Sequence, residues 1–452
     1  MRKIITVATL AFALALLSSW SASAVVVTPF DPTFGTGGMV ITDVAGGDPE
    51  DEPFDLLLLP DGKLAMPGKS FNPAGDFDFT VLRHNPDGSL DTTFDGDGIA
   101  ITDFLGGHDE ALGLALQADG KLIASGLITD PVTGLRDFGL ARFNSDGSLD
   151  PLFGSGGTVT TDFAGGHDFA YKVLVQPDGK IVAAGGAAMP AAGLDFALAR
   201  YNSDGTLDTT FGNGGRVSTD FFGSHDAITD FALLPSGKFV AVGGAYNALT
   251  GNYDFAMARY NSDGTIDPTF ATFGAPGLVV TDFVTGNDLA YTLLIQPDGK
   301  ILVGGVAYNP YTSSNDAALA RYNSNGTLDQ TFTPLGVPGI TVTDFARDWD
   351  QILTLAIQPD GKILGAGHSV IPGRGFDFAF IRYNPDGTLD NTFGWAGRIA
   401  IDMFGGPDGW HGLALLPDGK AVVAGDTFNP ATGGDDFFLS RFLLADPEWI
   451  AG

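Results

Sequence analysis

A unit of about sixty residues recurs along the chain, and this repetition constrains the fold more than any other feature. Its clearest marker is a short linker of the type Leu-Asp-x-Thr-Phe. The linker aspartates follow one another at intervals of 58 to 62 residues, at Asp31, Asp91, Asp150, Asp208, Asp267, Asp329 and Asp390. A fixed period of this length is typical of architectures in which each repeat is too small to bury its apolar surface alone. The repeats therefore predict one continuous structure rather than several independent domains.

Each unit is predicted to contain four short strands and no helix. In one unit these are an alternating apolar run at 158–163 and three further segments at 169–176, 180–185 and 195–202. Asp-Gly pairs follow the second and the fourth segment, and such pairs favour tight turns. The pattern predicts an all-β fold, a seven-bladed β-propeller of four-stranded antiparallel blades. A β-helix is the competing architecture, but its repeats are usually shorter.

The start of the chain differs from the repeats. Residues 1–24 combine a basic beginning, an apolar stretch and a small-residue cleavage motif, and we expect them to be a secretory signal peptide. Residues 25–452 are expected to form one propeller domain, with units near 35–90, 95–149, 154–207, 212–266, 271–328, 333–389 and 394–446. Later stretches are too polar for a transmembrane helix, and the chain has no cysteine. We therefore expect a secreted protein, located in the periplasm, at the cell surface or outside the cell.

The two ends of the repeat region complement each other. The last unit ends at Arg441-Phe442 without a linker, whereas an isolated linker stands at 30–34. We predict that this N-terminal piece packs against the last blade and closes the ring. The linker phenylalanines should then be buried between blades, at Phe34, Phe94, Phe153, Phe211, Phe270, Phe332 and Phe393. The repeated arginine of the fourth strand, such as Arg200, is expected to pair with a linker aspartate such as Asp208.

The repeated motifs also carry a family resemblance. The combination of RYNSDGTLDTTFG, TDF, QPDGK and LARYN resembles the bacterial delta-60 repeat family, whose tandem repeats are predicted to form β-propellers. The resemblance covers nearly all of 30–442 in seven copies, with local departures at Ala118, Ser236 and Ala317. It implies a secreted or cell-surface repeat protein, and it implies no enzymatic activity.

The charge balance excludes some classes of partner. The chain has 54 acidic and 23 basic side chains, a net charge of −31. Because there is no basic stripe to neutralise phosphates, binding to nucleic acid or to an anionic membrane surface is disfavoured. We expect a monomer whose partner is a protein or a glycan.

Two aspartates recur around one turn of each unit. Short Asp side chains accept hydrogen bonds from turn backbone N–H groups, which is the structural interpretation. The alternative is calcium, which prefers hard oxygen ligands, although the EF-hand spacing is missing. The candidate metal ligands are Asp103, Asp109, Asp162, Asp168, Asp220 and Asp226. No other cofactor is expected.

The units differ most in the loops that follow the first and third predicted strands. These loops are expected on one face of the propeller, opposite the nearly identical Asp-Gly turns and linkers. Binding residues usually lie on variable loops of a rigid scaffold. The candidate ligand-binding residues are the aromatic side chains Tyr246, Tyr253, Tyr308, Tyr311, Trp349 and Trp410. Packing at blade edges is the alternative role for them.

Catalysis has little support in the sequence. The chain lacks a G-x-S-x-G elbow, an H-E-x-x-H motif and a P-loop. His108, His167 and His225 occupy the same turn in neighbouring units, and they form a metal site only if those turns converge. We therefore expect a non-enzymatic protein- or glycan-binding or scaffolding module. The alternatives are a calcium-stabilised structural propeller and a hydrolase or lyase with an axial active site.

Overall fold

The computed structural model describes residues 30–44, 51–72, 74–190, 193–271, 275–283, 286–333, 336–345, 348–371, 375–403, 408–429 and 434–444. Within these ranges the regular secondary structure consists of strands, arranged in seven sheets. The described part of the chain holds no helix that could cross a membrane. The predicted seven-bladed β-propeller is confirmed. The predicted signal peptide, residues 1–24, lies outside the described residues.

The strands follow one another blade by blade. The first strand of the chain is β1 (Met39–Thr42). Blades 1 to 3 then contain β2 (Glu52–Pro53), β3 (Leu57–Leu58), β4 (Leu64–Phe71), β5 (Phe77–His84) and β6 (Ile99–Thr102); β7 (Glu110–Leu116), β8 (Leu122–Thr129), β9 (Arg136–Phe143) and β10 (Thr158–Thr161); and β11 (Asp168–Val175), β12 (Ile181–Met189), β13 (Gly193–Tyr201) and β14 (Arg216–Thr219).

Blades 4 to 7 continue the same order. Their strands are β15 (Asp226–Leu233), β16 (Phe239–Asn247), β17 (Asn252–Tyr260) and β18 (Leu278–Thr281); β19 (Asp288–Ile295), β20 (Ile301–Asn309), β21 (Ser314–Tyr322) and β22 (Ile340–Thr343); β23 (Asp350–Ile357), β24 (Ile363–Ile371), β25 (Gly375–Tyr383) and β26 (Arg398–Ile401); and β27 (Asp408–Leu415), β28 (Ala421–Asn429) and β29 (Gly434–Phe442).

Each blade is an antiparallel meander whose first strand lies nearest the axis. In blade 3 the order is β11-β12-β13-β14, and the inner strands of successive blades contact one another around the ring. In blade 1 the inner strand is interrupted, so that β2 and β3 both pair with β4. The short fourth strand forms the outer edge of its blade.

The predicted units are out of phase with the blades by one strand, which is a correction. The short strand that was expected to begin a unit, such as β14, pairs with the strand before it and completes the preceding blade. The physical reason is that alternating apolar residues define a strand but do not identify its partner.

The ring is closed by the N-terminal segment, as predicted. Strand β1 pairs with β29 as the outer strand of blade 7, and Phe30 forms a bridge with Phe442. The Asp31 N–H donates to the Arg441 carbonyl at 2.7 Å. The seven linker phenylalanines are at most 4% exposed, which confirms their place in the core between blades.

A three-residue turn joins the first and second strands of each blade. In blade 3 the Gln176 N–H donates to the Lys180 carbonyl at 2.8 Å, and Gly179 has a φ of +84°. Asp178 is not among the residues with positive φ, so the turn is a three-residue loop closed by a left-handed glycine.

Lysine, aspartate and arginine meet on the face that carries these turns and the linkers. The Lys180 Nζ and the Arg200 Nε each lie 2.7 Å from the Asp208 Oδ2, so the predicted pairing of arginine with a linker aspartate is confirmed. The Arg200 guanidinium also covers the Phe211 ring at 4.5 Å and donates to the Ser262 carbonyl in the next blade at 2.5 Å. All seven blades carry the lysine–aspartate–arginine contact, and blade 7 uses Asp31. This face therefore holds the ring together.

Candidate functional site

The opposite side of the ring, called here the loop face, carries most of the predicted aromatic side chains. Tyr246 and Tyr253 stand opposite each other on β16 and β17, with ring centroids 5.1 Å apart. Tyr308 is half-buried near the end of β20. Tyr311 is 80% exposed and Trp349 is 41% exposed. These five side chains are placed on the predicted face, but they are spread over two blades and a following loop rather than gathered in one pocket.

Trp410 requires a correction, because it does not lie on the loop face. It is fully buried, and its ring centroid lies 5.5 Å from that of Phe378 and 5.2 Å from that of Phe380 in blade 6. Side chains along an inner strand alternate between the two surfaces of the blade. The corresponding positions of other blades are also fully buried, at Ala170, Ile228, Ala290 and Ile352. Trp410 is core packing.

Aliphatic side chains at the tips of the same loops are also exposed to solvent. Leu249 is 87% exposed beside the Tyr246–Tyr253 pair, and Val132 is 90% exposed in blade 2. Leu105, between blades 1 and 2, is about half exposed. Only the aromatic residues of these variable loops were predicted from the sequence to bind a ligand.

Aspartates meet in groups of three where one blade adjoins the next. Between blades 3 and 4, one carboxylate oxygen from each of Asp195, Asp220 and Asp226 lies within 4.8 Å of the others. Further groups consist of Asp43, Asp51 and Asp436; Asp137, Asp162 and Asp168; Asp254, Asp282 and Asp288; and Asp316, Asp344 and Asp350. Two of the predicted pairs are thus brought together, and each gains a third aspartate that the sequence analysis missed. In the described ranges, Asp103 and Asp109 belong to none of these groups.

The aspartates of the loop turns accept backbone hydrogen bonds, as the structural interpretation expected. The Phe221 N–H donates to the Asp226 Oδ2 at 2.8 Å, and the Gly223 N–H donates to the Asp220 Oδ1. Asp195 is 4% exposed, and among the described residues its Oδ1 has no hydrogen-bond partner. Burial, reinforced by neighbouring carboxylates, raises the pKa of Asp226 to about 7 and that of Asp288 to about 8. Without a cation, these groups therefore retain protons near neutral pH.

The three histidines of the repeated turn do not converge. The His167 Nδ1 accepts the Arg136 N–H at 3.3 Å, and the His225 Nδ1 accepts the Leu194 N–H at 3.4 Å. Each of these two histidines thus holds the third strand of the preceding blade. Among the described residues, the groups with metal-ligand spacing consist of aspartates alone.

A polar group near the axis was missed by the sequence analysis, and it becomes visible when the second strands are compared position by position. After the glycine shared by all blades, blades 2 to 5 carry Leu127, Gly186, Gly244 and Val306. Blades 6, 7 and 1 carry His368, Asp426 and Lys69 at the same position. These three blades are consecutive in the closed ring. The signal in the sequence was a departure from the repeat at a single position.

Two contacts between a carboxylate and a nitrogen-bearing side chain form the middle of this group. The His411 Nε2 lies 2.6 Å from the Asp426 Oδ1, and the Glu52 Oε2 lies 3.2 Å from the Lys69 Nζ. The Phe54 ring separates the two pairs, with its centroid 5.6 Å from that of His411. Burial opposes the charge of Asp426, but the hydrogen bond with His411 holds its pKa below the usual range.

The polar group continues into the neighbouring blades on both sides. In blade 6, burial lowers the pKa of His368 to about 4, so its ring is neutral at pH 7 and contacts the Gln351 side chain. The Trp349 Nε1 donates to the Gln351 Oε1 at 3.4 Å. In blade 2, the Glu110 Oε1 lies 2.5 Å from the His108 Nε2.

A further ion pair crosses the axis at a deeper level. The Lys172 Nζ of blade 3 lies 2.7 Å from the Asp55 Oδ2 of blade 1, and these blades are not neighbours. Both residues lie three positions further along their strands than Glu52 and its counterpart Phe169, away from the loop face. The pair therefore obstructs the axis below the polar group.

Comparison with known proteins supports the fold. Six segments match a family model described as a domain of unknown function (DUF5122) β-propeller, at residues 59–94, 117–153, 176–211, 234–270, 296–332 and 358–393. The name delta-60 is not part of that description. No match was found among curated proteins.

Several solved structures are similar to this chain over most of its length. The polysaccharide lyase Uly1 is 10% identical, with 93% of this chain and 94% of that chain covered and a TM-score of 0.49. The structure of YCF48 bound to D1 peptide is 11% identical, with 94% and 99% covered and a TM-score of 0.45. Virginiamycin B lyase from Staphylococcus aureus is 11% identical, with 89% and 99% covered and a TM-score of 0.43. These similarities concern the fold and not the chemistry.

Proposed function

The chain is a repeat β-propeller protein in which six segments match the DUF5122 family model, and on this premise we propose that it is a non-enzymatic binding module outside the cytoplasm. Its loop face holds a protein partner. The partner is expected to present an apolar patch surrounded by basic side chains.

The observation that carries this proposal is the exposure of large apolar side chains at the loop tips. Leu249 and Tyr311 project from adjacent blades, at 87% and 80% exposure. Most large apolar side chains of the strands are buried or partly buried, whereas these loop-tip side chains are exposed, and exposed apolar surface is a mark of interaction sites. Tyrosine and tryptophan are common anchors of protein interfaces, and Trp349 lies in the loop between blades 5 and 6.

Charge favours a basic partner. The net charge is −31, and the lysine and arginine that recur in every blade lie on the opposite face, where they pair with the linker aspartates. Complementary charge accelerates association and disfavours acidic competitors.

The test compares two variants whose exposed apolar residues lie on opposite faces. Leu249→Ser combined with Tyr311→Ser removes loop-tip contacts, and Leu152→Ser changes a 77% exposed residue of the linker face. Secreted and surface proteins of the producing organism are cross-linked to the parent and to each variant. The affinity of each variant for the partner that the parent captures is then measured. We expect at least a tenfold loss for the loop-face variant alone. Equal affinities of the two variants would contradict the proposal.

One observation favours a second function, stabilisation by calcium. The Oδ1 of Asp195 is buried without a hydrogen-bond partner among the described residues, and Asp195 shares its site with the carboxylates of Asp220 and Asp226. Calcium takes six to eight oxygen ligands, which carboxylates, backbone carbonyls and water supply. We propose that calcium binds at this junction.

Calorimetric titration with calcium tests this second proposal. Asp195→Asn should reduce the number of calcium ions bound by one relative to the parent, whereas Asp178→Asn, in an exposed turn of the opposite face, should leave the number unchanged. Calcium at 100 times its dissociation constant adds about 2.7 kcal/mol per site, so the melting temperature should rise by several degrees over that in chelator. The same stoichiometry for parent and Asp195→Asn would remove this function.

A further inference from the structure

The polar group near the axis is distinct from the loop-tip surface. It lies in one half of the ring, and the two halves differ in the polarity of the side chains on their inner strands. The residue that follows the repeated aspartate at the start of the inner strand is polar in blades 1, 2 and 6, at Glu52, Glu110 and Gln351. In blades 3, 4 and 5 the same position is apolar, at Phe169, Ala227 and Leu289, all half-buried. Blade 7 has Gly409 there, beside Asp426. One half of the ring thus presents hydrogen-bonding groups and the other half presents apolar surface.

Solvent reaches the polar half. The side chains of Glu52, His411 and Asp426 are 26%, 25% and 16% exposed, although they lie on the inner two strands of their blades. The Asp55–Lys172 pair obstructs the axis below them. The space bounded by these side chains on the loop-face side and by the Asp55–Lys172 pair below them is called here the axial recess.

Each carboxylate of this recess already contacts a nitrogen atom of a neighbouring side chain. Asp426 contacts His411, Glu52 contacts Lys69, and Glu110 contacts His108, so the group offers many hydrogen-bond donors and acceptors that are held in pairs. A strongly charged ligand would have to disrupt these pairs. A neutral ligand with several hydroxyl groups can use the remaining lone pairs and N–H groups without separating them.

Gly409 departs from the repeat and leaves room for the carboxylate of the polar group. A Cβ atom at residue 409 would lie 2.0 Å from the Asp426 Oδ1, so a side chain at this position would displace the carboxylate. In blade 3 the sizes of the two residues are reversed: the large side chain is Phe169 on the inner strand, and Gly186 lies opposite it on the second strand.

From these observations we propose that the axial recess on the loop face binds a neutral carbohydrate. The polar half, centred on Glu52, His411 and Asp426, receives the hydroxyl groups. The apolar half is centred on the stacked rings of Phe169 and the exposed Tyr171, whose centroids lie 6.2 Å apart. It receives the C–H face of the sugar ring, since a pyranose has one polar rim and apolar faces. This site is independent of the protein-binding surface at the loop tips.

Binding of neutral hexose and N-acetylhexosamine oligosaccharides to the full chain tests the site, with an oligosaccharide of uronic acids as the charged comparison. We expect the parent to bind at least one neutral oligosaccharide, with affinity that is insensitive to salt. Glu52→Gln and Asp426→Asn should each weaken binding at least tenfold, because each removes a charged hydrogen-bond acceptor. Leu249→Ser, at the loop tip, should bind the sugar as the parent does.

Several outcomes would overturn the proposal. These are the absence of binding to every neutral oligosaccharide, tighter and salt-dependent binding of the uronic acids, and unchanged binding by Glu52→Gln and Asp426→Asn. If either variant fails to fold, Gln351→Ala replaces it, because Gln351 belongs to the polar half and its side chain contacts His368. Loss of the protein partner by the Leu249 and Tyr311 variant, with sugar binding retained, separates this site from the loop-tip surface.

Discussion

Asp31 and Arg441 are 410 residues apart in the sequence, and the Arg441 Nε donates to the Asp31 Oδ2 at 2.8 Å. The Lys420 Nζ donates to the same oxygen, also at 2.8 Å. In blade 3, Asp208 makes the equivalent contacts with Lys180 and Arg200 within one continuous segment. The ring is therefore closed by the contact that joins strand and linker in every other blade.

Asp31→Asn should open the closure, because Lys420 and Arg441 would then share no carboxylate. Losing a charged hydrogen bond of this kind costs about 2–3 kcal/mol. Hydrogen exchange of the β1 and β29 amides should accelerate more than exchange in the other blades. Asp208→Asn is the matched control, since it removes the same contacts where the chain is continuous, and it should leave β1 protected. Equal protection of β1 in both variants would show that Asp31 does not hold the closure.

Phe34→Ala should destabilise the protein by about 3–5 kcal/mol, the usual cost of truncating a buried phenylalanine. Phe34 is fully buried, packs among side chains of blades 1 and 7, and lies beneath the Arg441 guanidinium at 4.8 Å. Urea unfolding measures the loss. Leu152→Ala, at an exposed position, should change stability by no more than about 0.5 kcal/mol. A parent-like midpoint for Phe34→Ala would contradict the buried closure.

Stability should have a maximum at mildly acidic pH when calcium is removed. The pKa of Asp226 is raised to about 7 in the folded protein, so the stability that this group contributes is complete below the unfolded value of about 3.9 and is lost as the pH rises towards 7. Burial opposes the charge of Asp208, but hydrogen bonds, of which that from Lys180 is the strongest, outweigh burial and lower its pKa. Its contribution is present above about 3.9 and is lost in stronger acid.

Melting temperatures in chelator between pH 3 and pH 8.5 check both signs. The parent should be most stable near pH 4. Asp226→Asn should flatten the decline between about pH 4 and 7, and Asp208→Asn should flatten the decline below pH 4. A melting temperature that rises steadily from pH 5 to pH 8 would show that the aspartate groups do not carry protons in the folded protein.

The sequence predicted the features that repeat, because each copy of a motif supports the others. The linker at 30–34 and the pairing of Arg200 with Asp208 followed from this regularity. The partner of a short strand such as β14 did not, since pairing is a property of the assembled sheet. Asp195 was missed as a third member of its group because it lies on another strand, 25 residues before Asp220. Asp426 was not predicted as a site residue, because a single substitution in one of seven copies produces no recognisable sequence motif.

A hydrogen bond between a tyrosine and a threonine connects adjacent blades at four of the blade boundaries. The Tyr201 Oη donates to the Thr161 Oγ1 at 2.9 Å, across the boundary between blades 2 and 3. The same contact recurs between Tyr260 and Thr219, Tyr322 and Thr281, and Tyr383 and Thr343. Between blades 1 and 2 the tyrosine position is Phe143, and among the described residues the buried Thr102 Oγ1 has no hydrogen-bond partner. Between blades 6 and 7 both positions are apolar, with Phe442 and Ile401.

Phe143→Tyr should therefore stabilise the protein, because the added hydroxyl gives the Thr102 Oγ1 the partner that four other boundaries already have. A net gain of about 0.5–1.5 kcal/mol is the usual contribution of such a hydrogen bond. Urea unfolding should show a higher midpoint with an unchanged slope. Phe442→Tyr is the matched control: its hydroxyl would face Ile401, which offers no acceptor, so it should lower stability by about 1–3 kcal/mol. If both substitutions raise or both lower the midpoint, the threonine opposite residue 143 does not determine the effect.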